Sequence, residues 1–371
     1  MHRAFQRHDR AGMGLLALFA VALAAACSSG ARSSGSSVES PASTTAVVKT
    51  TDAPITAVQA APVPSSDASA VDPATTGASS TNSTSVSTVT ATEVPSGCGE
   101  MTTGAHEMDV LGLRRSYIVA EPENVELSAG SRAAPLILLF HGFGGSAQAI
   151  LSRTAIGPLA DREGVVLVSL QGQGQPPTWH IGFPGSGDED FTAAVLEAAR
   201  KSPCIDPSRI WLAGFSAGSA WVGDYVCNHP DGIAGILMHS SVPAATCAAD
   251  ETPEVLIAYG EADTVVPYAG GPHTVGDATV QLQPVLASAA SWAATAQCAA
   301  QPTIDHTTSV DTFVTWPDCR SGHTVTLLAV AGLGHEWSGG AAAPGSINPG
   351  CLVVEHLAGA QNPITKCLGS T

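Results

Sequence analysis

The stretch Gly214-Phe215-Ser216-Ala217-Gly218 constrains the fold of this chain more than any other feature. An apolar run over 209–213 precedes it, and small residues compatible with a helix follow it over 217–225. A strand, a sharp turn and a helix are the context of a nucleophile elbow, in which the turn lifts a serine clear of the sheet. Ser216 is therefore a candidate nucleophile. G-x-S-x-G also arises by chance in a chain with 38 glycines, so other residues must support the assignment.

The first 26 residues have the composition of a targeting segment. Three arginines precede an apolar run over 11–26, which is too short and wrongly flanked for a stable membrane span. Residues 23–27 resemble a bacterial lipoprotein box, with Cys27 as the lipidated residue and the leucine one place further from it than is usual. Ala24-Ala25-Ala26 also satisfies the ordinary cleavage rule. We expect the lipoprotein type, because a cysteine follows the predicted cleavage point.

Residues 27–96 form a predicted disordered linker. Ser, Thr, Ala, Val and Pro predominate, and the segment contains no aromatic residue. Such a composition buries too little apolar surface to offset the loss of chain entropy on folding. The alternative is a folded Ser/Thr-rich module. The remaining residues, 97–371, are enough for one large catalytic domain with a sizeable core.

The balance of charges is acidic. The formal net charge of the full chain is −17, and loss of the targeting segment, with three Arg and one Asp, makes it −19. This charge argues against nucleic acids and anionic membrane surfaces as partners. A lipid on Cys27 is therefore the only membrane attachment that we expect. The sequence does not predict an oligomeric state.

Eight cysteines remain besides Cys27, and none of them forms a C-x-x-C pair. A zinc site is therefore not expected. An even number of cysteines in an exported domain suggests disulfides, although eight cysteines allow roughly a hundred pairings. Cys298 with Cys319 and Cys351 with Cys367 are the pairs that we expect from their separation in the chain.

Apolar runs alternate with segments that are compatible with helices. The uninterrupted apolar runs predict strands buried on both faces, and the alternation predicts an α/β fold with a mostly parallel sheet. Catalytic groups in such sheets collect at the carboxyl ends of the strands. The predicted strands are 115–120, 135–140, 165–170, 209–213, 233–238, 254–259 and 324–330, and the predicted helices are 147–163, 188–201 and 284–296.

Two later strands end in residues that could activate Ser216. A serine hydroxyl needs a base to take its proton and an acid to orient that base. After the elbow, Glu261-Ala262-Asp263 follows one predicted strand and Gly334-His335-Glu336-Trp337 follows another. The order Ser, then Asp or Glu, then His is that of α/β-hydrolases. Asp263 and His335 are therefore the expected acid and base.

Each of these two residues has a rival. Glu261 could serve as the acid, and Asp263 could merely cap the turn before 265–267. His335 could be a surface histidine in a glycine-rich loop. His323 and His356 are weaker candidates for the base, since one opens a strand and the other falls in a predicted C-terminal helix.

The loop Phe140-His141-Gly142-Phe143-Gly144-Gly145 follows a buried strand. It resembles the H-G-rich loop that donates a backbone N–H to the oxyanion in esterases. We assign the oxyanion hole to the N–H groups of Phe143 and Ala217, with Gly144 N–H as a substitute for the former. The alternative is a plain glycine turn. His141 is expected to be structural.

At this point the chain resembles the secreted esterases that group polyhydroxybutyrate depolymerases with feruloyl and acetylxylan esterases. The resemblance covers roughly residues 108 to 340. It implies an α/β-hydrolase fold with Ser216, His335 and Asp263 as a triad, and it favours Asp263 over Glu261. No metal or cofactor is implied. The matching segments are 139–142, 204–210 leading into the elbow, 265–268, 334–337, and the pair 292–298 with 316–319.

The expected activity is that of a serine carboxylic ester hydrolase that forms an acyl-enzyme. Trp337 and Trp179 are candidates to line the substrate pocket, whereas Trp221 is expected to pack in the core. Polyesters, esterified polysaccharides and small esters all remain as substrates. The alternatives are an acyltransferase or peptidase on the same fold, or a non-catalytic envelope lipoprotein that binds carbohydrate or another protein.

Overall fold

The computed structural model describes residues 98–368, except for 124–126, 128–132, 183–184, 244, 246–251, 276–277, 341 and 344. The targeting segment, the linker and Cys27 lie outside the described residues, so those expectations are not tested.

Twelve strands are formed within the described residues: β1 Gly104–Val110, β2 Leu113–Ala120, β3 Ala134–Phe140, β4 Val166–Leu170, β5 Ile205–Phe215, β6 Gly235–His239, β7 Glu254–Gly260, β8 Gly271–Val275, β9 Ala278–Leu282, β10 Thr303–His306, β11 Asp311–Trp316 and β12 Val325–Val330. The helices of the same part of the chain are α1 Ala147–Thr154, α2 Gly157–Glu163, α3 Asp188–Lys201, α4 Ala217–Asn228, α5 Val285–Thr295, α6 Pro349–Leu357 and α7 Pro363–Cys367, with a single 3₁₀ turn at Gly99–Met101.

Ten of these strands make one sheet in the order β1-β2-β4-β3-β5-β6-β7-β12-β11-β10. The six strands from β4 to β12 in that order are parallel to one another, and antiparallel strands extend the sheet at both edges. The strands β8 and β9 form a separate hairpin. With helices on both faces and the elbow serine after β5, this is the predicted α/β-hydrolase fold.

The central strand β3 shows why the sheet is covered on both faces. All seven of its residues are buried. Leu136 and Leu138 join one apolar cluster, with side chains from α3, α4 and α5, whereas Ile137 and Leu139 join a second cluster, with α1, α2 and α6. Side chains alternate between the two faces of a strand, so an uninterrupted apolar run needs a helical layer on each side.

The sequence predicts a single helix over 147–163, and this prediction is wrong. The chain forms α1 and α2 instead, and between them Ala155 adopts a left-handed backbone with φ of 52°. Pro158 lies in the first turn of α2. Proline has no N–H to donate to the carbonyl of Thr154 four residues earlier, so α1 cannot continue through it, which accounts for the break. The predicted helix 188–201 is confirmed as α3.

Three disulfides are described: Cys98–Cys204, Cys298–Cys319 and Cys351–Cys367. The last two are the predicted pairs and are confirmed. Cys227 is also disulfide-bonded. Disulfides of this number persist in oxidising compartments, which indicates an exported domain. Among the helices of the described ranges, none has the length and apolar character needed to cross a membrane.

Two glycines let β5, α4 and β3 approach one another at the elbow. A Cβ atom on Gly214 would lie 2.2 Å from Gly218 O, and one on Gly218 would lie 2.2 Å from Phe140 O. Both contacts are with backbone, which cannot move aside as a side chain would. The spacing of the two glycines around Ser216 therefore follows from packing as well as from the turn.

Gly218→Ala is expected to lower the free energy of unfolding by about 3 kcal/mol or more, because the added methyl group displaces the end of β3. Gly157→Ala is the matched control: it lies at the start of α2 with no atom within 4 Å of the added Cβ. An alanine at 157 precedes Pro158, whose ring disfavours helical geometry in a residue with a side chain, so the control should lose some stability but much less than Gly218→Ala. Urea denaturation followed by circular dichroism measures both changes, and equal midpoints for the two variants would contradict the packing argument.

Candidate active site

Ser216 occupies the sharp turn between β5 and α4. Its φ of 54° and ψ of −118° lie in a region that residues with a side chain rarely adopt. The Ser216 N–H donates a 2.8 Å hydrogen bond to His239 O at the end of β6. A neighbouring strand thus helps to hold the strained backbone, and the serine side chain remains partly exposed at the carboxyl edge of the sheet.

The structure brings Ser216, His335 and Asp263 together in one hydrogen-bonded chain. His335 Nε2 lies 3.0 Å from Ser216 Oγ, and His335 Nδ1 lies 2.7 Å from Asp263 Oδ2. The Asp263 side chain is fully buried, whereas that of His335 is 17% exposed. A carboxylate that accepts the Nδ1–H leaves Nε2 free to accept the serine proton.

Asp263 also caps the turn that follows it. Its Oδ1 accepts the N–H groups of Val265 and Val266, both at 2.9 Å. The two interpretations of Asp263 from the sequence are therefore compatible, since each carboxylate oxygen has its own partners. The turn fixes the carboxylate, and the carboxylate orients the imidazole.

The three alternative candidates for the acid and the base are not part of this hydrogen-bonded chain. Glu261 is exposed, and its backbone N–H bonds to Val330 O. His323 lies beside Glu254 at the start of β7. Ser216 lies at the other end of the parallel strands, after the carboxyl end of β5. The His356 ring, on α6, lies 5.4 Å from the ring of Trp211.

The two N–H groups that we assign to the oxyanion hole have no described backbone acceptor. Within the described part of the chain, neither Phe143 N nor Ala217 N donates a backbone hydrogen bond. Gly144 N–H donates to Pro177 O at 2.8 Å, so the expectation that it could replace Phe143 N–H is wrong. A Cβ on Gly142 would lie 3.2 Å from Ser216 Cβ, which shows how closely this loop approaches the serine.

His141 fixes the same loop through a hydrogen bond from its imidazole to Gly142 O. Its Nε2 accepts Gly172 N–H at 3.0 Å, so the proton is on Nδ1, which donates to Gly142 O at 2.8 Å. Burial lowers the pKa of His141, which favours this neutral form. Because the N–H of a trans peptide points away from its C=O, fixing Gly142 O also fixes the direction of Phe143 N–H. His141 is thus structural, as expected.

The two tryptophans that were expected to line the substrate pocket do not do so. Trp337 is 1% exposed and donates its indole N–H to Asn348 Oδ1, and Trp179 is 3% exposed and donates to His141 O. Both indoles have their polar atom paired within the core, so the prediction is wrong. Trp221 stacks on Trp179 and packs in the core, as predicted.

An apolar cavity of about 140 Å³ lies beside the first turn of α4. No sequence motif marks it, because its walls come from four separate parts of the chain. Its lining includes Ala220, Ser241, Tyr259, Val266, Leu282 and Val285.

Among the described residues, no group of three or more His, Cys, Asp or Glu side chains could hold a metal ion.

Comparison with known proteins gives several relatives that are named as esterases. The chain is 32% identical over 181 residues to a protein named as an esterase, NocK, of Nocardia uniformis subsp. tsuyamanensis, with 46% of this chain and 52% of that one covered. It is 28% identical over 236 residues to feruloyl esterase B of Piromyces equi, with 60% and 42% covered. These matches confirm the resemblance to esterases.

The chain spans about half the length of these curated relatives. No family model matches it. Among solved structures, the acetyl xylan esterase from Aspergillus awamori superposes with a TM-score of 0.48 at 13% identity, covering 63% of this chain and 94% of that one.

Proposed function

We propose that this chain, an α/β-hydrolase-fold relative of the feruloyl esterases, is a serine esterase that cleaves carboxylic esters through an acyl-enzyme. The observation that carries the proposal is the hydrogen-bonded chain from Ser216 Oγ through His335 to Asp263, at 3.0 and 2.7 Å, on a strained elbow. Nucleophile, base and orienting acid are thereby within reach of one another before substrate binds.

In the acylation step, Ser216 Oγ attacks the carbonyl carbon of the ester and His335 Nε2 takes the hydroxyl proton. The carbonyl π electrons move to the oxygen, which gives a tetrahedral intermediate with one negative charge. Asp263 keeps the Nδ1–H tautomer and stabilises the imidazolium that forms. The intermediate then expels the alcohol, whose oxygen takes the proton from His335, and the acyl group remains on Ser216.

The N–H groups of Phe143 and Ala217 donate to the negative oxygen of the intermediate. The fixed direction of the Phe143 N–H supports this role, since a donor that is already oriented needs no rearrangement when charge develops. In the second half of the reaction, water replaces the alcohol: His335 takes a proton from water, the resulting oxygen attacks the acyl carbon, and the carboxylic acid leaves as Ser216 recovers its proton.

The apolar cavity beside α4 is the proposed site for the organic group of the ester. A dry cavity of about 150 Å³ holds one benzene molecule, so about 140 Å³ fits a short acyl chain or a single ring. Phe143, a residue that is 67% exposed, adds apolar surface on the loop beside Ser216. Small esters and the ester groups of larger polymers both present such a unit.

The sequence and the disulfides support a proposal for the domain boundaries and the site of action. We place the catalytic domain at 97–371 and propose that 27–96 is a tether. Lipidation of Cys27 would hold the domain at the cell envelope at a distance set by that tether.

Hydrolysis of a p-nitrophenyl ester series by the purified chain, with methyl ferulate alongside, tests the proposal. We expect kcat/KM to be highest for short acyl chains and to fall for chains that exceed the cavity. Turnover of methyl ferulate would add an aromatic acid to the accepted substrates. No turnover of any ester would contradict the proposed function.

A further inference from the structure

His239 is the last residue of β6 and is completely buried, next to the elbow. Its backbone oxygen accepts the Ser216 N–H at 2.8 Å. This bond continues the pairing of β5 with β6 into the turn, where the backbone is strained. The main chain of His239 therefore contacts the proposed nucleophile.

The imidazole of the same residue reaches a different loop. His239 Nε2 accepts the backbone N–H of Ser338 at 2.9 Å, and His239 Nδ1 lies 2.8 Å from Ser240 Oγ. A backbone N–H can only donate, so Nε2 is unprotonated and Nδ1–H is the donor to the hydroxyl. Burial, and secondarily the proximity of His335, lowers the pKa of His239 to about 3, so the ring stays neutral as this geometry requires.

Ser338 belongs to the loop that carries His335. On the other side of His335, the N–H of Ala262 donates to Leu333 O at 2.9 Å. The loop is therefore tied to the Asp263 turn before His335 and to His239 after it. Between the two ties, Gly334 gives the backbone few intrinsic restraints.

Aromatic rings surround the hydrogen bond between Ser338 N–H and His239 Nε2. The His239 ring stacks on Trp337 with ring centroids 4.8 Å apart, and Phe215 lies 5.6 Å from His239 and 5.1 Å from His335. Packing restrains the separation of these rings, but a ring can slide over an apolar face. The directional bond to Ser338 N–H fixes the position of the loop along that face.

We propose that His239 is a positioning residue that couples the nucleophile to the base: its main chain holds the Ser216 elbow and its imidazole holds the His335 loop. This inference rests on the proposed esterase function. A displacement of about 1 Å between reacting groups can lower a rate about a hundredfold, so loss of the imidazole acceptor should slow catalysis without weakening substrate binding.

Two variants of His239 separate the hydrogen bond from the packing. His239→Phe keeps a planar ring against Trp337 but has no acceptor for Ser338 N–H. His239→Gln places an amide oxygen near the position of Nε2 and restores that acceptor. The main-chain bond to Ser216 is the same in both. Thr192→Val is the control, because it removes another buried bond to backbone, from Thr192 Oγ1 to Asp188 O at 2.9 Å, in α3.

The experiment measures kcat and KM for a p-nitrophenyl ester, with kcat expressed per serine titrated by a fluorophosphonate, and the thermal midpoint. For His239→Phe we expect kcat to fall about 10- to 100-fold with KM within about threefold of the unsubstituted chain, and His239→Gln to regain most of the loss. Thr192→Val should lower only the midpoint. Expressing kcat per titrated site removes the contribution of unfolded protein.

The proposal is overturned if His239→Phe keeps kcat per titrated site within about twofold, or if His239→Gln is no more active than His239→Phe. Either result, with an active unsubstituted chain, leaves the esterase function in place. If the unsubstituted chain neither turns over esters nor reacts with the fluorophosphonate, the proposed function fails and the role of His239 fails with it.

Discussion

Ser216→Ala is expected to lower kcat for p-nitrophenyl esters by about 10⁴- to 10⁶-fold, because it removes the hydroxyl that the proposed mechanism uses to form the acyl-enzyme. The thermal midpoint should change little, since the substitution removes one oxygen from a partly exposed side chain and leaves the backbone bond to His239 O in place. Steady-state kinetics and thermal denaturation of the same preparation measure the two effects.

Ser219→Ala is the control for this substitution. Ser219 lies one turn further along α4, and its hydroxyl donates to Ser241 O in the core rather than to the triad. Its loss should change kcat by less than about tenfold. Turnover by Ser216→Ala at the level of the Ser219→Ala variant would rule out the proposed mechanism.

Asp263→Asn is expected to lower kcat by about 10⁴-fold while the structure around it stays intact. The asparagine oxygen can keep the bonds to Val265 N–H and Val266 N–H, which directs the amide NH₂ group toward His335 Nδ1. An N–H donor at that position favours the tautomer with the proton on Nε2. His335 would then point a hydrogen at Ser216 Oγ, 3.0 Å away, and could not accept the serine proton.

Glu261→Gln is the matched control, since it neutralises a carboxylate two residues earlier that is exposed to solvent. Its kcat should stay within about twofold of that of the unsubstituted chain. A large loss of kcat for Glu261→Gln together with a small loss for Asp263→Asn would show that Glu261, rather than Asp263, is the acid that orients His335.

The sequence predicts the centre of the fold well because local pattern and burial agree there. The run at 135–140 is apolar throughout, and only a strand covered on both faces accommodates it; β3 is such a strand. The helix over 188–201 is predicted within its observed bounds, with acidic residues in its first turn and basic residues in its last. The proposed triad follows from the order of motifs after strand ends, which places residues far apart in sequence at one edge of a sheet.

Of the antiparallel strands at the edges of the sheet, β2 is predicted at 115–120, whereas β1, β10 and β11 were not predicted. The strands β10 and β11 add to β12 in antiparallel fashion, and β10 is exposed along its length, so its residues lack an apolar pattern. The break at Pro158 could have been expected from the chain, since proline rarely continues a helix. The hairpin of β8 and β9 carries polar residues and packs outside the main sheet.

Parts of the site also depend on contacts that no local pattern records. Trp337 follows His335 by two residues, which suggests a pocket, but Asn348 pairs with its indole in the core. His239 carries no motif, and its two contacts join it to loops about 20 and 100 residues away in the sequence. The position of His239 can be recognised only once the strand order is known, because the pairing of β6 with β5 places it beside Ser216.

Identification of the residue that reacts with a fluorophosphonate tests the central claim most directly. An activated serine attacks the phosphorus and displaces fluoride, which leaves a stable adduct that peptide mass spectrometry locates. The account predicts one adduct, on Ser216, with labelling abolished in Ser216→Ala and retained in Ser219→Ala. Absence of labelling in the folded chain, or an adduct on another serine, would contradict it.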